Sequence, residues 1–514
     1  MPDIAYIARD FVRFRPDNPG DFSSDELKDM ILAFGDAVDV IDESGTDARV
    51  RAVELWDGNL VGTLPRKPYD RNLRVLRLSM VDVQQGDGLV LETPPAADGR
   101  RRIMLIDGGD NQLFARHVAA RFRHLKTSAA NRMTVDLMLV THGDADHFDG
   151  LNDLVRSETD STISDRKRIF VHPDRIYHNG LVKGPSTLAD ADIFGATATL
   201  GGGALAVTAL HDDPRQVPAA MRNRPFGRWC DSIDHWAAAG PITVKRIDRH
   251  MPAGPLFDFL DTTGVTVDLL GPDTESVAGA PALRFFHANP DGSGAVSASH
   301  TINGHSAVLN VRIGNVRIAL TGDLNEEASH RLLAAVPASA LECEVLKVPH
   351  HGSDDFDRAL LAAHAPVVSL VSSGDESPAK EYIHPRGTLI AALGRASRSD
   401  APVILSTELS AFFRTRDYAH LRPDIAAYYR ARGAGSESFD DARRFFAAKR
   451  RDKADVAALP DFFAFERTNF GIIHVRTDGR RLLVFTLSGK SGMREKYAFT
   501  VDASHVATPV AIDE

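Results

Sequence analysis

Two imidazoles and two carboxylates fall between His142 and His147, in the run Thr141-His142-Gly143-Asp144-Ala145-Asp146-His147-Phe148-Asp149-Gly150. Buried without a cation, adjacent carboxylates repel one another and titrate upward. A divalent ion resolves that conflict, because it lowers the pKa values of its ligands and is held by them in return. So dense a set of ligand types reads as a metal-site loop rather than a polar turn with incidental histidines. Asp323 and a histidine from the His350-His351 pair extend the set far enough for two adjacent cations. Two ions roughly 3.5–4 Å apart can share a hydroxide as nucleophile and stabilise charge on the attacked and leaving oxygens. Asp323 suits the bridging position because a carboxylate offers two oxygens. Asp144 stands where an imidazole would make a softer site, which shifts preference toward Mn²⁺ or Mg²⁺ without excluding Zn²⁺.

The elements that must position these groups are legible as apolar runs. Val135 to Val140 precedes the His142 loop and reads as a buried strand. Val316 to Leu320 leads into Thr321-Gly322-Asp323, Val345 to Lys347 into Pro349-His350-His351-Gly352, and Pro366 to Val371 toward His384-Pro385. Upstream, Leu73 to Val83, Leu89 to Thr93 and Ile103 to Asp107 predict three antiparallel strands, followed by a helix over 112–125. Strands alternating with helices predict an α/β layered fold with its ligands at strand ends, where loops converge. Residues 1–72 read separately, as short strands divided by polar turns, and resemble a small SH3-like β-barrel. The remainder, 73–514, reads as the catalytic domain, with insertions at about 200–260 and 409–468. The first is expected to be loops or a small cap. The second is expected to be mostly helical, and its basic cluster at Arg443, Arg444, Lys449, Arg450, Arg451 and Lys453 is either a phosphate-backbone contact or a solvated face.

Composition sets outer limits. The chain has 514 residues, 43% hydrophobic and 25% charged, which is ordinary for a soluble globular protein with more than one domain. A formal net charge of −10 gives no global basic character to attract nucleic acid, so local patches would have to do so. Cys230 and Cys343 alone do not make a disulfide scaffold and fit a reducing compartment. Neither a signal peptide nor a bilayer-length apolar run is visible, and a cytoplasmic location without membrane attachment is expected.

Seven pieces in order carry a resemblance to a known family: Val81 to Asp87, Leu105 to Gly109, the His-x-Asp-x-Asp-His loop, Asn303-x-x-Ser306, Thr321-Gly322-Asp323, Leu346 to Ser353, and His384-Pro385. From about Leu73 to Leu393, with the hairpin near 471–486, the chain resembles the metallo-β-lactamase fold, and within it the hydrolase domain of the ComEC/Rec2 DNA-uptake proteins. That resemblance implies an αββα sandwich. It assigns His142 and Asp144 to one metal position, Asp146 and His147 to the other, and Asp323 as the bridge. His350 or His351 would be a ligand or the acid that protonates the leaving group, and His384 the last ligand or a substrate contact; His350 is set with the ligands, and Asp146, His351 and His384 with the catalytic groups. His305 replaces an expected small polar residue and would add another imidazole. The implied activity is a two-metal (Zn²⁺ or Mn²⁺) phosphodiesterase acting on DNA, with the N-terminal module available to a protein partner. Hydrolysis of a small ester, lactone or cyclic nucleotide, or a binding role on the same fold, stays open at this level.

Overall fold

The computed structural model describes residues 2–23, 26–27, 30–289, 292–374, 384–411, 466–469, 471–488 and 492–514. Most of the predicted insertion at 409–468, including its basic cluster, lies outside the described residues.

The three antiparallel strands expected near the start of the 73–514 region form at Leu76–Met80, Gly88–Glu92 and Ile103–Asp107. They sit within a ten-stranded sheet. On one side Leu137–Leu139, Arg175–His178 and Thr243–Arg246 add in parallel to Ile103–Asp107. On the other, Ile472–Thr477, Arg481–Ser488, Gly492–Val501 and Ala507–Val510 add antiparallel to Leu76–Met80. A second sheet of six runs Val265–Gly271, Val308–Ile313, Val316–Leu320, Val345–Lys347, Val368–Val371, Val403–Ser406, and its last four strands are parallel.

The two sheets share one apolar core, to which the first contributes Leu78, Leu91 and Ile106 and the second Leu309, Ile318 and Leu370. The other faces are covered by helices. Leu113–Arg121, Asn152–Thr159 and Arg224–Ala239 pack over the first sheet, and Arg358–His364 and Gly387–Ala396 over the second. Coverage on both faces explains why Gly88–Glu92, Ile103–Asp107 and Val316–Leu320 are buried at every position. Val265–Gly271, an edge strand, instead alternates buried Val265 and Val267 with exposed Thr266 and Asp268.

The stretch 200–260, expected to be loops or a small cap, contains a long helix. Its centre is the helix Arg224–Ala239, capped by Asn223, whose side-chain oxygen accepts from the Phe226 amide at 2.9 Å. Phe226, Trp229, Ile233 and Trp236 recur at helical spacing and enter the core above the first sheet. The glycines and prolines around the helix obscured this pattern in the sequence.

Residues 4–70 form a six-stranded antiparallel sheet with its own core, which includes Ile7, Phe14, Val38 and Val50. It is fastened to the body by buried ion pairs. Arg77 meets Glu54 at 2.6 Å, Arg476 meets Asp36 at 2.7 Å, and Arg481 pairs with Asp10. Among the described residues, no helix is long and apolar enough to cross a membrane.

Candidate metal centre

Parallel strands present their C-terminal ends along one edge, and each candidate ligand follows such an end. The His142 loop follows Leu137–Leu139, Asp323 follows Val316–Leu320, and His350-His351 follows Val345–Lys347. Two glycines allow the loops to close on one another. At Gly86, whose φ is +105°, a Cβ would strike the Asp146 carbonyl; at Gly322, whose φ is +53°, it would lie 2.6 Å from the Ser306 hydroxyl.

Three donor atoms converge. His147 Nε2 lies 3.2 Å from His351 Nε2 and 3.1 Å from Asp323 Oδ2, and His351 Nε2 lies 3.0 Å from the same oxygen. Tetrahedral donors about 2.0–2.1 Å from a Zn²⁺ ion stand roughly 3.3–3.4 Å from each other. The triangle is therefore nearly the size of one face of a metal tetrahedron. Asp146 Oδ2, 3.6 Å from His351 Nε2, is the neighbouring donor at this position.

Behind each imidazole, at its other nitrogen, stands a polar group: within hydrogen-bonding distance for His147 and His142, an ion-pair neighbour for His351. His147 Nδ1 lies 2.8 Å from Asp107 Oδ2, and His351 Nδ1 lies 3.3 Å from Asp87 Oδ1. His142 Nδ1 is 3.2 Å from both the Thr141 and the Ser306 hydroxyls. Those hydroxyls already donate, Thr141 to Asp107 at 2.6 Å and Ser306 to the Asn303 carbonyl at 2.8 Å. They must accept from His142 Nδ1–H, which leaves its Nε2 as a lone pair, buried and without a hydrogen-bond partner. All three rings thus keep Nε2 for something else, as metal-ligating imidazoles with outer carboxylate or hydroxyl partners do. On these grounds the residues fit a divalent metal.

Asp87 belongs to this outer support. It joins His147, Asp323 and His351 in a buried group whose donor atoms all lie within 4.8 Å. Yet it meets both rings on the Nδ1 side, 3.9 Å from His147, whereas Asp323 meets them at Nε2. One ring cannot aim both nitrogens at one ion. Asp87 is paired instead with Lys347, a fully buried ammonium that also donates to the Gly322 carbonyl at 2.8 Å.

The electrostatics show how the chain alone holds these charges. Burial would neutralise every one of them. Against it, Asp323 and Asp107 hold His147 well above its usual pKa, and Asp323 and Asp87 raise His351 to about 9. Burial likewise opposes ionisation of Asp323, but His147 and His351 keep it well below the carboxylate range. Protons thus take the place between imidazole and carboxylate that a cation would take, and ion binding would release them. Burial, with the nearby His147, pushes His142 well down, and burial raises Asp144.

The structure departs from the sequence reading at several residues. Of the His350-His351 pair, left open between ligand and acid, His351 brings its Nε2 to the convergence. His350, expected to be a ligand, turns aside, with its Nε2 3.4 Å from Asn303 Nδ2. Both adopt positive φ, 50° and 51°, and this sends their rings apart, with centroids 6.2 Å from each other and planes 72° apart. His305 does not join the centre. It stacks on Phe286 at 4.7 Å and puts Nε2 2.7 Å from the Arg284 carbonyl. His384 is buried near His351 and His350; burial first, then those neighbours, hold its pKa down to about 3. Asp144 sits at the edge of the centre in an ion pair with Lys183 at 2.7 Å. The motifs that carry the resemblance contain Asp107, Asp87 and Lys347 but give none of them a role.

No protein-family model and no curated protein matches this chain. Among solved structures it is similar to a protein described as a metal-dependent hydrolase from Parabacteroides distasonis, at 9% identity and a TM-score of 0.26, covering 64% of this chain and 93% of that one. It is also similar to Igni18, a metallo hydrolase from the hyperthermophilic archaeon Ignicoccus hospitalis, at 11% identity and a TM-score of 0.27, covering 65% and 94%. Scores this low carry no weight for the fold or the reaction. What stands is a mixed α/β protein with a buried His/Asp cluster of metal-binding type.

Proposed function

We propose that this protein is a metal-dependent hydrolase of the metallo-β-lactamase type, acting as a two-metal phosphodiesterase with DNA as its substrate. The observation that carries the reading is the convergence of His147 Nε2, His351 Nε2 and Asp323 Oδ2, with the lone pair of His142 close by. Two facing sheets with helices outside, ligands at the strand ends and the motif resemblance support the fold assignment. The motif resemblance alone supports DNA as substrate.

His147, His351, Asp323 and Asp146 would hold one ion, and His142 and Asp144 would contribute to a second, with Asp323 between them. Divalent ions there would activate water and withdraw charge from phosphoryl oxygens. Asp107 and Asp87 orient the ligating rings, and Lys347 keeps the buried Asp87 ionised. Burial keeps His384 neutral, so it can donate or accept a hydrogen bond but would not serve as the general acid. His350, beside the centre, would assist a leaving oxygen. Residues 1–72 are taken as a separate module fastened to the catalytic body and open to a protein partner.

The test incubates purified protein with Mn²⁺ or Zn²⁺ and labelled single- and double-stranded DNA, with bis-p-nitrophenyl phosphate in parallel and Asp146→Ala as control. Metal-dependent cleavage of DNA, lost in the variant, is expected. Turnover of the small diester without any DNA cleavage would overturn the DNA assignment, and no turnover of either would overturn the phosphodiesterase.

A further inference from the structure

The two metal positions differ in what already occupies them. Around the first, four donors face one another: His147, His351, Asp323 and Asp146. At the second, Asp144 faces a cation supplied by the chain. Lys183 Nζ lies 2.7 Å from Asp144 Oδ1, and the side chains are only 24% and 22% exposed, so solvent screens the pair weakly. His142, the other ligand that the motif resemblance gives this position, has its Nε2 buried without a hydrogen-bond partner.

The lysine is held in place by its backbone. Its carbonyl accepts from the Asn223 amide at 2.9 Å, and Asn223 caps the helix Arg224–Ala239. Phe226, in the first turn of that helix, packs so closely on Gly143 that a Cβ there would lie 2.6 Å from its ring. Upstream, Asn179 ties the same loop to the His305 carbonyl at 3.0 Å. Lys183 and the ligand loop are thus braced against one helix, and the ammonium meets Asp144 with little freedom to leave.

We propose that Lys183 gates the second metal position: its ammonium neutralises Asp144, so that the protein binds one ion tightly and admits a second only when Lys183 is displaced. This rests on the metal-centre reading above. A divalent ion at His142 and Asp144 must compete with a fixed positive charge for the same carboxylate oxygen, and like charges at that range repel. At position one the competing charge is of another kind: protons on His147 and His351, which an arriving ion can displace, and Lys347, which stands 3.7 Å from Asp323 Oδ1 but is engaged more closely by Asp87 and the Gly322 carbonyl.

The test is direct binding. Metal-stripped full-length protein is titrated with Zn²⁺ by calorimetry, and bound zinc is counted after dialysis, for wild type, Lys183→Met, Lys183→Gln and Lys183→Arg. Wild type and Lys183→Arg are expected to hold one tight ion. Lys183→Met and Lys183→Gln are expected to hold two, with second-site affinity at least ~10-fold tighter, equivalent to about 1.4 kcal/mol. Circular dichroism checks that each variant is folded, and the two neutral variants guard against the loss of either one. Equal second-site affinity in all four proteins overturns the gate and leaves the metal centre standing. Failure of wild type to bind any zinc overturns both.

Discussion

The protein buries charge in two places by opposite rules. Where the N-terminal sheet meets the body, Arg77 meets Glu54 at 2.6 Å, Arg121 meets Glu92 at 2.8 Å through two nitrogens, and Arg476 meets Asp36 at 2.7 Å. Each cation faces an anion, and burial that would neutralise Glu54 is overcome by Arg77 and Arg121. At the strand ends, by contrast, imidazole faces imidazole at Nε2 and both face one carboxylate oxygen. The first cluster is complete within the chain. The second is complete only with protons or an ion between its members. Buried charge that pairs internally is a fastening, whereas buried donors that converge on a point form a site.

The largest effect that would break this distinction is expected at Asp323. Asp323→Ala should weaken metal binding and activity by ~10³-fold or more, beyond the 10–100-fold typical of outer partners, with zinc content as the first measurement. Retained zinc would mean the convergence is not the ligand set. Arg77→Met should do the reverse. It takes from Glu54 its nearest cation, leaving Arg121 3.5 Å away, and should cost up to about 3–5 kcal/mol in chemical denaturation, while the folded fraction still binds zinc. A third group of buried charges-in-waiting sharpens the contrast. His305 and His364 are buried, bonded to backbone carbonyls and held down to about 4 by burial. Because unfolding lets them titrate near 6.5, the stability they contribute is whole above that pH and drains as pH falls toward 4, by up to about 3 kcal/mol each. The denaturation midpoint should drop between pH 7 and 4.5, less so in a His305→Gln/His364→Gln protein; equal slopes would remove these rings as the cause. Smallest is Asp107→Asn, which keeps the shape but weakens the grip on His147, and should lower zinc affinity ~10–100-fold without unfolding the protein.

Much of this was legible beforehand. Apolar runs of strand length ending in Asp or His placed the His142 loop, Asp323 and the His350-His351 pair at strand ends, because both sheets are covered and their central strands must be apolar throughout. The helix Arg224–Ala239 was not legible, although its Phe226, Trp229, Ile233 and Trp236 keep helical spacing; the flanking glycines and prolines dominated the reading. Asp87 and Lys347 were each quoted within a motif, but nothing local to either says that the two meet in the interior.

The sequence alone determined which residue types stand at which strand ends, since hydrophobic periodicity and ligand identity are properties of adjacent residues. Tertiary structure decided which atoms face the centre. The diverging rings of His350 and His351 bring only His351 to the convergence, an aromatic stack and a backbone carbonyl claim His305, and Asp107, Asp87 and the Thr141 and Ser306 hydroxyls stand at the Nδ1 side of His147, His351 and His142. Those outcomes depend on dihedral angles and on partners far apart along the chain, which spacing between neighbours does not encode.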